Sequence, residues 1–173
     1  MPRVPLIEAD GIPPGMPVPA SLANAPDLMA AAMPFIVRAF AATPTLSTRQ
    51  KEIVILRVSA QARCRYCTQT HTVVALGAGL SLKEVGVLRG DPLEDAFPDS
   101  RDRALIGYAD AFAASPQGVS DDAFNALSAA FAAPDVVELT VVAGVTLMLN
   151  RYATALDLPV DPNHVAQLAQ YGW

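Results

Sequence analysis

Cysteine and histidine are scarce in this chain, two of each in 173 residues. Two cysteines cannot build the multi-bridge framework of a small secreted domain. Charged residues make up only 17%, the formal net charge is −5, and lysine and arginine nowhere form a run. That balance argues against binding nucleic acid through its phosphates, which takes clustered cations. Long apolar runs are also missing. The longest, Val136 to Leu149, is interrupted by Glu138 and is shorter than the roughly 20 residues that cross a bilayer. The opening "MPRVPLIEADG" has no apolar core of the length a secretory signal needs. The expectation is a soluble cytoplasmic protein that engages neither nucleic acid nor membrane.

What is present is aliphatic. Hydrophobic residues are 52% of the chain and alanine is abundant, whereas aromatics are only 6%. A chain of this size buries a sizeable core without staples, and alanine favours closely packed helices. Prolines crowd residues 1–26. They remove donors and fix φ, so an extended arm without regular helix is expected there. The arm either lies on its own domain or reaches over a neighbouring subunit. Residues 27–173 read as one helical domain. "APDLMAAAMPFIVRAFAA" has helical spacing, with Asp27 as a candidate cap and Pro34 predicting a kink or break. "STRQKEIVILRVSAQARC" offers Ser47 or Thr48 as a cap and is apolar nearly all round, which predicts burial. "RYCTQTHTVVALGAGL" is a helix ending at Gly77 or Gly79. "SLKEVGVLRG" opens with Ser81 and has Glu84 three residues on, a capping box. "DPLEDAFPDS" reads as a loop, and further amphipathic segments follow. Val, Ile and Thr cluster at 136–146, but nothing alternates with period two and no hairpin dipeptide occurs. The predicted fold class is all-α.

The chemistry concentrates in "EIVILRVSAQARCRYCTQTH", Glu52 to His71, which holds both cysteines and one histidine. Cys64, Cys67 and His71 stand at i, i+3 and i+7, one face of a helix. At a helix start the dipole and free N–H groups favour a thiolate. His71, a turn beyond Cys67, is placed to exchange a proton with it. Neighbouring cysteines suit a two-step chemistry, in which one sulfur is oxidised to sulfenic acid and the other condenses with it. Three other readings compete. A c-type haem site needs histidine directly after the second cysteine, and Thr68 is there instead. Structural zinc takes four ligands, while this segment supplies three and His164 is far along the chain. The third reading is a pair of core cysteines beside a satisfied histidine. Glu52 sits among aliphatic residues, so it should be paired or protonated. Its partner is Arg49, Arg57 or Arg63 in a plain ion pair, or His71 in a Glu–His–Cys relay.

Glu52, Cys64 twelve residues on, Cys67 and His71 together resemble the alkylhydroperoxidase D (AhpD) branch of the carboxymuconolactone decarboxylase-like family. The surroundings, through "RDRALIGYADAF" and "LMLNRYATALDLP", are similar over roughly residues 25–160. The resemblance implies an all-helical homo-oligomer, a trimer or hexamer, reducing hydroperoxides with a cysteine pair and no metal or cofactor. An external dithiol of lipoyl or thioredoxin type would recycle it. By motif position, Cys67 would be the peroxidatic thiolate, Cys64 the resolving thiol and proton donor, and His71 with Glu52 the relay. The helix-dipole argument points instead to Cys64 as the nucleophile. The family name also covers lactone decarboxylases that need no cysteine pair. A redox-sensing oligomerisation module is a further reading. Arg65, an i+1 neighbour, points away from the sulfurs. Tyr66 lines substrate access or packs. Asn150, Arg151 and Tyr152 carry no assigned chemistry.

Overall fold

The computed structural model describes residues 1–8, 10–92, 95–115 and 117–173, and two positions of the expected 91–100 loop, Leu93 and Glu94, lie outside them. Nine helices run along the described residues: α1 Pro17–Leu22, α2 Pro26–Phe40, α3 Thr48–Gln61, α4 Arg65–Gly77, α5 Leu82–Arg89, α6 Ser100–Ala114, α7 Asp121–Ala130, α8 Ala133–Ala155 and α9 Pro162–Ala169. No strand occurs among them. The fold is all-α, as the absence of period-two alternation predicts.

α3 is the axis of the packing. It touches α4, α5, α6 and α8, and Ile53, Val54, Ile55, Leu56 and Val58 are completely buried. Its apolar circumference is satisfied because helices surround it. Its start is fixed by a reciprocal capping box between Ser47 and Gln50. α5 starts the same way, with Ser81 and Glu84. α8 is long and apolar enough by length and composition to cross a membrane. Here Leu139, Val142, Ala143, Thr146 and Asn150 are buried, in contact with α2, α3, α4, α6 and α7.

Two expectations about proline need correction. Pro17–Leu22 of the arm form α1. Proline is tolerated in a first turn, where its missing N–H would have no partner anyway, and Val18 and Leu22 gain burial in an apolar cluster with α8 residues. Pro34 does not split α2, which runs unbroken from Pro26 to Phe40. Asp27 is not the cap of α2 either. Ala25 holds that position, Pro26 starts the helix, and Asp27 lies in the first turn.

Ion pairs lock the ends of these helices. Lys51 is completely buried. Its Nζ donates to Glu138 Oε1 at 2.6 Å and to the carbonyls of Ala39 and Ala41 at 2.8 and 2.5 Å. All three ammonium protons are thereby used, and two open carbonyls at the end of α2 are satisfied. Arg49 donates to Glu84 at 2.5 Å and to Asp102 at 2.7 Å, joining α3, α5 and α6. Burial pushes the Glu84 carboxyl up, but the Ser81 N–H and hydroxyl and the Arg49 guanidinium outweigh it and hold the group below its ordinary value.

Two predictions follow from these locks. Lys51→Met strands Glu138 and two carbonyls, and should lower unfolding free energy in urea by roughly 3 kcal/mol. For Glu84 the folded pKa lies below the unfolded value of about 4.3. Its stabilisation is therefore present above that value and lost as pH falls through the folded one. Glu84→Gln should have a lower urea midpoint than the parent protein at neutral pH, with the difference closing below about pH 4.

Candidate active site

The site is built on the α3–α4 hairpin. Cys64 N–H donates to Ser59 O at 3.1 Å and Arg63 N–H to Ala60 O at 3.0 Å, a Schellman turn that ends α3. The turn needs a left-handed residue, and here it is Arg63, at φ 54°. The next residue, Cys64, caps α4, with its Sγ accepting the Cys67 N–H at 3.3 Å. Helix end, reversal and new helix start thus occupy Ala62 to Arg65, and α4 folds back along α3.

That reversal brings Glu52 to His71. The Nδ1–H of His71 donates to Glu52 Oε2 at 3.0 Å and Oε1 at 3.2 Å. The Glu52 side chain is only 4% exposed and that of His71 18%. The carboxylate fixes the imidazole tautomer and leaves Nε2 as the free nitrogen. Phe40 stands edge-on to the ring, 5.7 Å between centroids. The three arginines weighed as partners for Glu52 do not bond it. Arg49 is committed to Glu84 and Asp102, Arg57 to Asp110, and among the described residues Arg63 makes no salt bridge.

Cys64 and Cys67 are joined as a disulfide, with Cα atoms 5.3 Å apart. Both are buried, at 1% and 4% exposure. They lie in an apolar cluster with Val18, Leu22, Ala153 and Leu158, edged by Met29, Met33, Tyr66 and Leu149. With the sulfurs joined, His71 makes no hydrogen bond to either. Its place relative to Cys67 is one turn further along the same helix. Burial first, and then the charge of Asp161, pushes the Tyr66 phenol above its ordinary value. Tyr66 packs against the cysteine cluster and also lines, with Arg63, Cys64 and Arg65, a hollow of about 430 Å³. A larger hollow of about 740 Å³ lies between the arm and Pro159–Pro162 and includes none of the four motif residues. Among the described residues, no three His, Cys, Asp or Glu side chains gather as metal ligands.

Sequence reasoning missed three polar links around the site. Lys51, next to Glu52, is one. Arg89 Nη1 donates to Thr72 Oγ1 on α4 at 2.7 Å. Asn150 Nδ2 donates to Ser59 Oγ at 3.1 Å. Each joins side chains at least 17 residues apart, and the only available signal was a polar residue in an apolar helical run.

Arg63→Gly tests the turn. Glycine enters the left-handed region without the Cβ penalty, so the variant should keep its fold and unfold at equal or higher urea, by up to about 1 kcal/mol. Arg63→Val should lose stability in the same titration.

Comparison with known proteins bears on the family and the fold. The model of the carboxymuconolactone decarboxylase family matches residues 26–105. A curated relative, the uncharacterized protein YnjA of Escherichia coli (strain K12), is 31% identical over 114 residues, 64% of this chain. The match spans 60% of that relative's length. A solved structure described as an alkylhydroperoxidase AhpD core, an uncharacterized peroxidase-related protein from Ralstonia eutropha JMP134, superposes with a TM-score of 0.79 at 18% identity, covering 94% of each chain. The debrominase Bmp8, solved with 2,3,4-tribromopyrrole, superposes with a TM-score of 0.74 at 20% identity, covering 88% of this chain and 80% of that one. At such identities the structures speak for the fold alone. Residues 26–105, which hold the motif, are thus similar to the carboxymuconolactone decarboxylase family, and the helical fold is that of the AhpD core structure.

Proposed function

We propose that this protein is a thiol-dependent hydroperoxide reductase. The observation that carries the reading is the buried Glu52–His71 pair, held on the same hairpin as the adjacent cysteines. In the reduced protein, the Nε2 of His71 takes the proton from Cys67, and Glu52 stabilises the imidazolium that results. The Cys67 thiolate attacks the terminal oxygen of ROOH. The O–O bond breaks, the alkoxide leaves as alcohol with a proton from Cys64 or His71, and Cys67 becomes a sulfenic acid. The Cys64 sulfur then attacks the Cys67 sulfur. Water leaves and the disulfide forms. An external dithiol, of lipoyl or thioredoxin type, returns the pair to thiols and leaves as a disulfide.

The surroundings of the sulfurs support an organic peroxide as substrate. Met29, Met33 and Leu149 edge the cysteine cluster, a lining suited to an alkyl chain. We also propose a cytoplasmic homo-oligomer, a trimer or hexamer. Large apolar side chains stay more than half exposed on α2 (Leu28, Phe35, Val37) and α8 (Val137, Met148), faces that a second copy would cover.

Peroxide consumption with a dithiol donor is the test. Cys67→Ser should abolish turnover, and Glu52→Gln should lower kcat/KM by about 10²-fold or more, the usual scale for a general-base relay. Equal rates for the parent protein and Cys67→Ser would overturn the proposal. Turnover of a lactone or keto acid by a protein lacking both cysteines would favour the decarboxylase-type reading instead.

A further inference from the structure

α8 carries a buried amide that the reaction above leaves unused. Asn150 is 1% exposed. Its Nδ2 donates to the hydroxyl of the fully buried Ser59. Its Oδ1 is buried and has no hydrogen-bond partner among the described residues. A buried carbonyl without a donor loses its hydration and gains nothing in return. Yet the amide is bonded to the residue that anchors the Cys64 backbone. The Ser59 carbonyl accepts the Cys64 N–H at 3.1 Å. Leu149 and Ala153, which flank Asn150 along α8, pack in the same apolar cluster as Cys64 and Cys67. Asn150, Ser59 and Cys64 thus form one chain of bonds from α8 to the cap of the redox helix.

The sulfurs change their hydrogen-bonding capacity with redox state. A disulfide has no S–H. Reduction by a dithiol breaks the S–S bond and adds two hydrogens, which creates S–H donors inside an apolar cluster, while the reductant leaves as its disulfide. We propose that Asn150 is a positioning residue for the pair, its Oδ1 accepting the Cys64 S–H in the reduced protein. The inference rests on the pair being redox-active, as proposed above. Two consequences follow. The oxygen is unpaired in the disulfide form and paired in the dithiol form, so Asn150 shifts the equilibrium toward the dithiol. A bond that holds the proton on Cys64 also opposes ionisation there, which offsets the pull of the helix start and leaves Cys67 as the sulfur to ionise.

The test is a redox titration of the whole chain in dihydrolipoate–lipoate buffers, quenched in acid, alkylated and read by mass. Asn150→Leu removes the acceptor at similar volume. It should shift the equilibrium constant roughly fivefold to tenfold toward the disulfide, about 20 to 30 mV for a two-electron couple. Asn150→Asp keeps an oxygen and should stay within about twofold of the parent protein or shift toward the dithiol. A folded Asn150→Leu protein with an unchanged constant, or one shifted toward the dithiol, would overturn the inference. A second measurement leaves Asn150 intact. In Cys67→Ser the S–H stretch of Cys64 should lie at the lowered frequency of a hydrogen-bonded thiol, and a free-thiol band would overturn it. No peroxide is present in either experiment, so a protein that titrates normally but consumes no peroxide defeats the peroxidase reading alone. A pair that stays oxidised in every buffer defeats both.

Discussion

Glu52 is a carboxylate with almost no contact with water, in a helix whose next four residues, Ile53 to Leu56, are completely buried. Such a group must find a partner or lose its charge. Its partner is the imidazole of His71, and the chain reaches it by reversing direction within a few residues. The reversal depends on Arg63 adopting a left-handed backbone and on Cys64 capping the next helix. The Glu52–His71 hydrogen bonds, the turn and the placement of the sulfurs are therefore one constraint. The carboxylate, imidazole and cysteines share a hairpin, and on it Glu52 is buried with a partner.

The rest of the molecule holds that hairpin still. α8 supplies Leu149 and Ala153 to the cysteine cluster and the Asn150 amide to Ser59. Lys51 ties α3 to the end of α2 and to Glu138 of α8. The arm contributes α1, whose Val18 and Leu22 cover the sulfurs, while Ser21 and the Tyr152 hydroxyl meet at 2.8 Å. The arm thus packs on its own chain over residues 17–22. The outcome is a disulfide enclosed in apolar surface beside a buried acid–base pair, the two joined along α4.

Much of this was legible in sequence because it is local. The periodicity of residues 48–61 gives a helix apolar all round, hence a buried one. Ser81 announces its helix through Glu84 three positions later, and Ser47 or Thr48 marks the start of another. The spacing of Cys64, Cys67 and His71 sets one face of α4. What could not be read is what depends on chains meeting. Periodicity cannot choose between an arginine and a histidine as the partner of Glu52, because the choice turns on one left-handed residue, and an arginine gives no sign of it. A completely buried lysine reads in sequence as a solvated charge. A proline-rich stretch reads as an arm without helix, yet Pro17 starts one, since burial of Val18 and Leu22 favours it. Asn150 lay in a segment with no assigned chemistry because its partner is 91 residues away.

The most direct measurement concerns one sulfur. A reduced Cys64→Ser protein, given one equivalent of an alkyl hydroperoxide with dimedone present, should acquire the trapping adduct on Cys67, since no second thiol can resolve the sulfenic acid. Adding Glu52→Gln should slow that labelling about 10²-fold. No adduct on Cys67, or labelling at the same rate without the carboxylate, would contradict a peroxidatic Cys67 driven by the buried Glu52–His71 pair.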